Sequence, residues 1–408
     1  MSPPDEPSSR AEPGCTVQGR AARRAALRRR LRRVLLVALL VVPPQAAEGF
    51  VRLRWERLAP DDGGPLRSGG SLGAGLIHET VGKHQADVAF LWRSPTGYDL
   101  TYLADPARGF WPRPSHRFVR PIADGTPEGR AVPSHTDRRG LRGADRPDPP
   151  EGALRVLVVG DSMTFGEGVL DDEAFPAVLE QGLAGALAPR PARVWNAGVV
   201  SYGPIEELAT VEALVPELRP DVVLWQFTPA NDPSDVLRWR PGRVPLEPDL
   251  EAARQLGEHW LFQSWLARRS KLWRLLAWTH GRHAVRYRVM QRPELLDRCA
   301  EAILAAREVA RRRLGPGVGF GVLIAPTSAQ VEGSMAEVVL GTRAINDGLR
   351  ARVEAAGVPV CEPLAELRAG HTAGELMFIP VDRHWTAAGH RVVAEALVPF
   401  VVDLVQPD

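Results

Sequence analysis

The chain's 408 residues leave room for a full α/β core with additional segments, in one to three domains and without staples. A formal net charge of +2 excludes a global electrostatic case for nucleic acid, and three cysteines exclude a disulfide framework. Lys83 and Lys271 are the sole lysines among 51 basic residues, so the many arginines reflect compositional bias rather than a site.

The amino terminus carries Arg23, Arg24, Arg28, Arg29, Arg30, Arg32 and Arg33, then the apolar run Val34 to Val42. A basic cluster followed by an apolar run reads as an export signal. The run is far short of the roughly 20 residues of a spanning helix, which favours a signal-peptide core. The following segment lacks a small-x-small site and turns apolar again at Phe50-Val51, which favours an uncleaved membrane anchor. Both readings place the remainder outside the cytoplasm, periplasmic or extracellular; the plain alternative is a soluble basic arm with a short buried helix. Residues 1–50 are therefore set apart from 51–152, a Gly/Pro-rich linker followed by a small irregular or β-containing region. Pro147, Pro149 and Pro150 mark its end.

From 153 to 405 the pattern becomes regular. Strand Arg155 to Val159, helix Ala174 to Leu187, strand Arg193 to Asn196, helix Ile205 to Leu214 and strand Asp221 to Phe227 follow one another. After an insertion at about 233–291 come a helix from Arg292 to Leu314, a strand from Gly319 to Ile324 and a helix from Met335 to Ala356. Strand Val358 to Cys361 and a helix near Thr386 to Val405 end the series. Alternation of this kind predicts a three-layer α/β/α sandwich around a central parallel sheet, with an N-terminal extension. Cys299 and Cys361 both sit in core-like patterns and read as buried free thiols. The insertion holds Trp239, Trp260, Trp265, Trp273 and Trp278 among cations. Either its helices pack the tryptophans inward, or the aromatics and cations line an acidic glycan groove or rest on a membrane, as a lid.

Four stretches carry chemistry. Gly160-Asp161-Ser162 follows the first core strand, and a buried strand that hands a serine to a turn exposes a nucleophile at the sheet's carboxyl edge. Trp195-Asn196-Ala197-Gly198 through Gly203 follows the second strand. Thr228-Pro229-Ala230-Asn231-Asp232 follows the third. Near the end, Asp382-Arg383-His384-Trp385 places a carboxylate close before a histidine, at a loop leading into the last helix. There one imidazole nitrogen can be oriented while the other takes a serine proton. His390 reads as structural on the helix face, and Asp161 as shaping the serine turn.

These stretches, in this order, resemble the blocks of the SGNH, or GDSL, hydrolases. The resemblance spans about 155–400 and implies a flavodoxin-like three-layer fold and a serine esterase with no cofactor and no metal. It assigns Ser162 as nucleophile, His384 as general base and Asp382 as its orienting partner. Oxyanion donors would be the N–H of Ser162, that of Ser201 or Gly203, and the side-chain amide of Asn231. Three departures stand out: Ser201 where the family has glycine, Pro229 before Asn231, and Asp-x-His in place of Asp-x-x-His. The Asp-x-His-Trp form resembles some exported polysaccharide acetyl-esterases and acetyltransferases. Segment 135–143 bears a faint resemblance to what precedes the first block in some exported members. The implied partners are an ester substrate, an acylated carbohydrate or a lipid, and a membrane through the N-terminal segment, with no nucleic acid. An O-acyltransferase using the same site and a non-catalytic glycan-binding protein are the alternatives.

Overall fold

The computed structural model describes residues 45–50, 52–54, 101–122, 124–126, 129–236, 264–276, 287–333 and 341–405. The export segment, most of 51–100 and much of the insertion lie outside these residues. Among the described residues five parallel strands form the central sheet, and two antiparallel hairpins precede it. The hairpins are β1 (Tyr102–Asp105) with β2 (Gly109–Pro112), and β3 (Arg117–Ile122) with β4 (Arg130–His135). The sheet strands are β5 (Leu154–Gly160), β6 (Ala192–Gly198), β7 (Val222–Phe227), β8 (Gly319–Ile324) and β9 (Val360–Cys361).

Their spatial order, β6-β5-β7-β8-β9, is the flavodoxin-like one. β5, β7 and β8 read as nearly continuous apolar runs because both faces of the sheet are covered. On one face Val156, Val158, Leu224 and Leu323 pack with helices Phe175–Ala186 and Ala387–Val405 through Leu179, Leu183, Val393 and Leu397. On the other, Leu157, Val159, Val223 and Val322 pack with helices Pro204–Leu218, Pro293–Leu314 and Thr342–Ala355. Alternate residues of one strand therefore feed two separate apolar layers. Such sheets open their crevice where the strand order reverses, here between β5 and β7.

Two local differences from the sequence reading have simple causes. A single helix from Met335 to Ala356 is expected, yet the described helix begins at Thr342, because Gly341 adopts φ 65° as its N-cap. Residues 335–340 of that expectation lie outside the described residues. Helix Leu364–Thr372 was not expected, since its nine residues bury little more than Leu364 and Leu367 and leave a weak period. Cys299 is buried and Cys361 half-buried, and both are free thiols. In the insertion Trp265 is 63% exposed and Trp273 half-buried, so the described tryptophans there do not all pack inward. Among the described residues no helix is long and apolar enough to cross a membrane.

The first hairpin and the segment after β4 are fastened to the core rather than strung before it. Tyr202 donates its hydroxyl hydrogen to the Phe110 carbonyl, and Arg142 N donates to Asn196 O at 3.0 Å, extending the sheet edge beyond β6. The buried Arg142 guanidinium pairs with Asp171 at 2.5 Å, donates to Val169 O at 2.8 Å and lies over the Phe165 ring.

Candidate active site

Ser162 opens a helix of one turn, Ser162–Phe165, directly after β5. Asp161 caps it, accepting from Met163 N at 2.9 Å, which is the turn-shaping role expected of this residue. The Ser162 N–H is the first of the helix, where no intrahelical acceptor exists. Gly160 and Gly198 stand opposite one another at the ends of β5 and β6. A Cβ on Gly198 would lie 2.3 Å from Phe165 N, so only glycine lets this turn sit against β6.

Ser162, His384 and Asp382 are brought together from distant parts of the chain. Ser162 Oγ lies 2.7 Å from His384 Nε2, and His384 Nδ1 lies 2.5 Å from Asp382 Oδ1. A carboxylate on Nδ1 fixes the tautomer: Nδ1–H donates to Asp382, and Nε2 accepts the Ser162 hydroxyl hydrogen. Burial alone would lower the His384 pKa. The hydrogen bond that Nδ1–H donates to Asp382, with the negative charges of Glu167, Asp382 and Asp161, outweighs it and holds the imidazole above its ordinary value.

The one-residue spacing works because the backbone turns sharply on both sides of Asp382. Val381 has φ 70° and Arg383 φ 72°, left-handed conformations that cost a non-glycine residue roughly 1–2 kcal/mol each. The loop closes through Ile379 N to His384 O at 2.8 Å and Arg383 N to Ile379 O at 2.9 Å, while the fully buried Trp385 anchors its far end. His390, on the following helix, is 1% exposed and accepts from Phe175 N, a structural role as expected.

The three other expected donors divide. Ser201 has φ 68°, a left-handed conformation that favours glycine, the residue the resemblance has at this place. Gly203 does not offer its N–H to the site: it donates to Glu206 Oε2 at 3.2 Å, in the capping box that starts helix Pro204–Leu218. Its Cα also faces Asp235, whose Cβ would be 2.5 Å from an added Cβ. Asn231 departs from expectation too. Its amide donates to Asp161 Oδ2 at 3.0 Å and to Asp235 Oδ2 at 3.2 Å, so both hydrogens are already engaged by flanking carboxylates.

Sequence reading missed the polar network behind the serine. Gln226, fully buried, accepts from Thr164 Oγ1 at 2.8 Å and donates to Thr228 Oγ1 at 2.6 Å, tying the Ser162 helix to the third block. A lone amide inside the apolar strand Val222–Phe227 was the available signal. Around it lie the buried carboxylates Asp161, Glu206, Glu207, Asp232 and Asp235. Burial, then the charges of Asp232, Asp161, Glu206 and Asp235, push the Glu207 pKa well above the carboxylate range. Among the described residues no group of three or more His, Cys, Asp or Glu is placed to hold a metal.

The parallel sheet, the order of the four stretches along it and the Ser162–His384 contact agree with what the resemblance to the SGNH hydrolases implies. No family model and no curated protein matches the sequence. Solved structures similar to this chain include a member of the lipolytic G-D-S-L family from Veillonella parvula, at 14% identity and TM-score 0.36, covering 61% of this chain and 99% of that one. An aryl esterase from M. smegmatis aligns at 14% identity and TM-score 0.36, over 62% of this chain and 100% of its own. A two-domain esterase active on acetylated mannans aligns at 16% identity and TM-score 0.34, over 63% of this chain and 51% of its own.

Proposed function

We propose that this chain is a serine esterase. Ser162 Oγ attacks the ester carbonyl as His384 takes its proton, and the imidazolium then returns the proton to the leaving alcohol. Asp382 stabilises the charged imidazole. The observation that carries this reading is the hydrogen-bonded chain Ser162–His384–Asp382, with the nucleophile at a sheet's switch point and its base oriented by a carboxylate. The oxyanion is met by the N–H of Ser162 and, in this reading, by that of Ser201; Asn231 joins only by releasing a hydrogen from Asp161 or Asp235. The chemistry calls for no metal or cofactor.

The substrate class proposed is an O-acetylated carbohydrate outside the cytoplasm. Supporting it are the Asp382-Arg383-His384-Trp385 form of the last block and the basic-then-apolar amino terminus. A carboxyl-terminal tag recovered solely in the cytosol would overturn the export part of this reading.

The test is a fluorophosphonate probe. It should label Ser162 in the intact chain and fail on Ser162→Ala and on His384→Ala, while Ser162→Ala lowers kcat for ester cleavage by on the order of 10⁶-fold. Full activity in Ser162→Ala would end the proposal. Acetate release measured beside acetylated-glycan formation separates hydrolysis from transfer of the same acyl group.

A further inference from the structure

The loop that carries Asp382 and His384 leans on a part of the chain that lies outside the α/β sandwich. Ile379, which closes that loop through its own N–H and carbonyl, does not join either apolar layer of the sheet. It forms a separate buried cluster with Ile122 of β3 and Val132 of β4, each no more than 3% exposed. The turn of the same hairpin reaches further along the loop. A Cβ on Gly125 would stand 3.5 Å from Pro380 Cβ and 3.9 Å from Val381 Cγ2. The nucleophile side meets the cluster as well, since a Cβ on Gly168 would fall 2.4 Å from Ile379 Cδ1 and 3.6 Å from Ile122 Cγ2. Phe118 of β3 stacks on Phe165 of the serine helix, with ring centroids 6.0 Å apart.

The hairpin thus touches both halves of the relay, at Phe165 beside Ser162 and at Ile379 beside Asp382 and His384. A loop with left-handed Val381 and Arg383 holds its shape only where its surroundings over-determine it. One side of that support is Trp385 in the core, and the other is this cluster.

We propose that Ile122 and Val132 are positioning residues for the reaction: the β3–β4 hairpin seats Ile379 and so fixes how His384 meets Ser162 and Asp382. The proposal rests on the esterase reading for its kinetic consequence, but not for its geometric one. Because the cluster is separate from both sheet layers, opening a cavity there loosens the loop before it loosens the sandwich.

The test uses the full chain with Ile122→Ala, Val132→Ala and the conservative Ile122→Val. Turnover of p-nitrophenyl acetate is referred to Ser162 sites titrated with fluorophosphonate, so that unfolded chains do not count. Expected are a roughly 10- to 100-fold fall in kcat for the alanine variants, KM within about twofold, and recovery to within about threefold in Ile122→Val. NMR titration of the His384 imidazole gives a second reading, independent of turnover: its midpoint should move down in the alanine variants as the Asp382 contact loosens. Unchanged kcat per titrated serine together with an unmoved His384 midpoint would overturn the proposal. If the intact chain cleaves no ester, the esterase reading fails, and the His384 midpoint alone decides the role of the hairpin. Should Ile122→Ala not fold, Val132→Ala, which removes less volume, reads the same two quantities.

Discussion

Asp382 Oδ1 and His384 Nδ1 are 2.5 Å apart across the single residue Arg383, whose φ of 72° folds the carboxylate back onto the ring. The contact makes the shortened block equivalent in effect to one with a longer spacing. On the esterase reading it also sets the pH range of the reaction. The base must be neutral to accept the serine proton, so activity is lost as pH falls through the His384 pKa, which stands above 6.5. Asp382→Asn removes the charge that raises it. The acid limb of kcat/KM should therefore move to lower pH than in the intact chain, while kcat drops by on the order of 10³- to 10⁴-fold. A pH–rate profile of the two proteins checks both shifts, and an unmoved limb would remove Asp382 from the relay.

Ser201 shares the left-handed backbone of Val381 and Arg383. At φ 68° a serine carries a penalty that glycine escapes, set against glycine's larger loss of freedom on folding. Ser201→Gly should raise the unfolding free energy by up to about 1 kcal/mol, and Ser201→Val, branched at Cβ, should lower it by about 1–2 kcal/mol. If the Ser201 N–H meets the oxyanion, the valine variant also loses kcat more than it changes KM. Urea denaturation and steady-state kinetics on the two variants give both answers.

The β5–β6 glycine pair supplies a third expectation. An alanine methyl at 198 would stand 2.3 Å from Phe165 N and 2.7 Å from the Thr164 carbonyl carbon, backbone atoms that cannot swing aside. Gly198→Ala should cost about 1–3 kcal/mol. By displacing the serine helix it should also lower kcat by about 10²-fold. Gly185→Ala is the control: it lies exposed in helix Phe175–Ala186 with nothing within 4 Å of the added methyl, and should stabilise by about 0.5–1 kcal/mol. Calorimetry on both variants tests the contrast in sign.

What could be read from the chain beforehand follows from how each feature is encoded. β5, β7 and β8 are apolar runs bounded by turn residues, and Ser162 and His384 sit at the ends of such patterns, so both were legible. The resemblance alone does not choose between Ser201 and Gly203, although Pro204 at the first helical position and Glu206 at the third already form a capping signal that engages the Gly203 N–H. The engagement of Asn231 by Asp161 and Asp235 was not legible. It depends on where two carboxylates 70 and four residues away come to rest, which no local period records. The Ile122–Val132–Ile379 cluster is hidden for the same reason: Ile379 lies some 250 residues from the hairpin pair, and each member looks locally like an ordinary strand or loop residue.

His390 makes the fold itself sensitive to acid. Its Nδ1 accepts from Phe175 N at 3.2 Å, and its ring lies edge-on to Trp385 and stacked on Phe175, a setting that admits only the neutral imidazole. Burial, with the positive charges of His384 and Arg142, pushes its pKa down to about 3 from an ordinary 6.5. The sign follows from which state takes up the proton. Above pH 6.5 both folded and unfolded chains keep this ring neutral, and its full contribution is present. Between 6.5 and about 3 the unfolded chain protonates while the folded chain does not, so stability falls with pH. Near pH 5 the loss from this one ring is about 2 kcal/mol. His390→Gln keeps a side-chain acceptor for Phe175 N and has no proton to gain. The variant should start less stable at pH 7.5, yet lose about 2 kcal/mol less than the intact chain between pH 7.5 and 5. Urea unfolding at the two pH values measures this directly, and equal losses in the two proteins would mean that His390 titrates alike in the folded and unfolded chain.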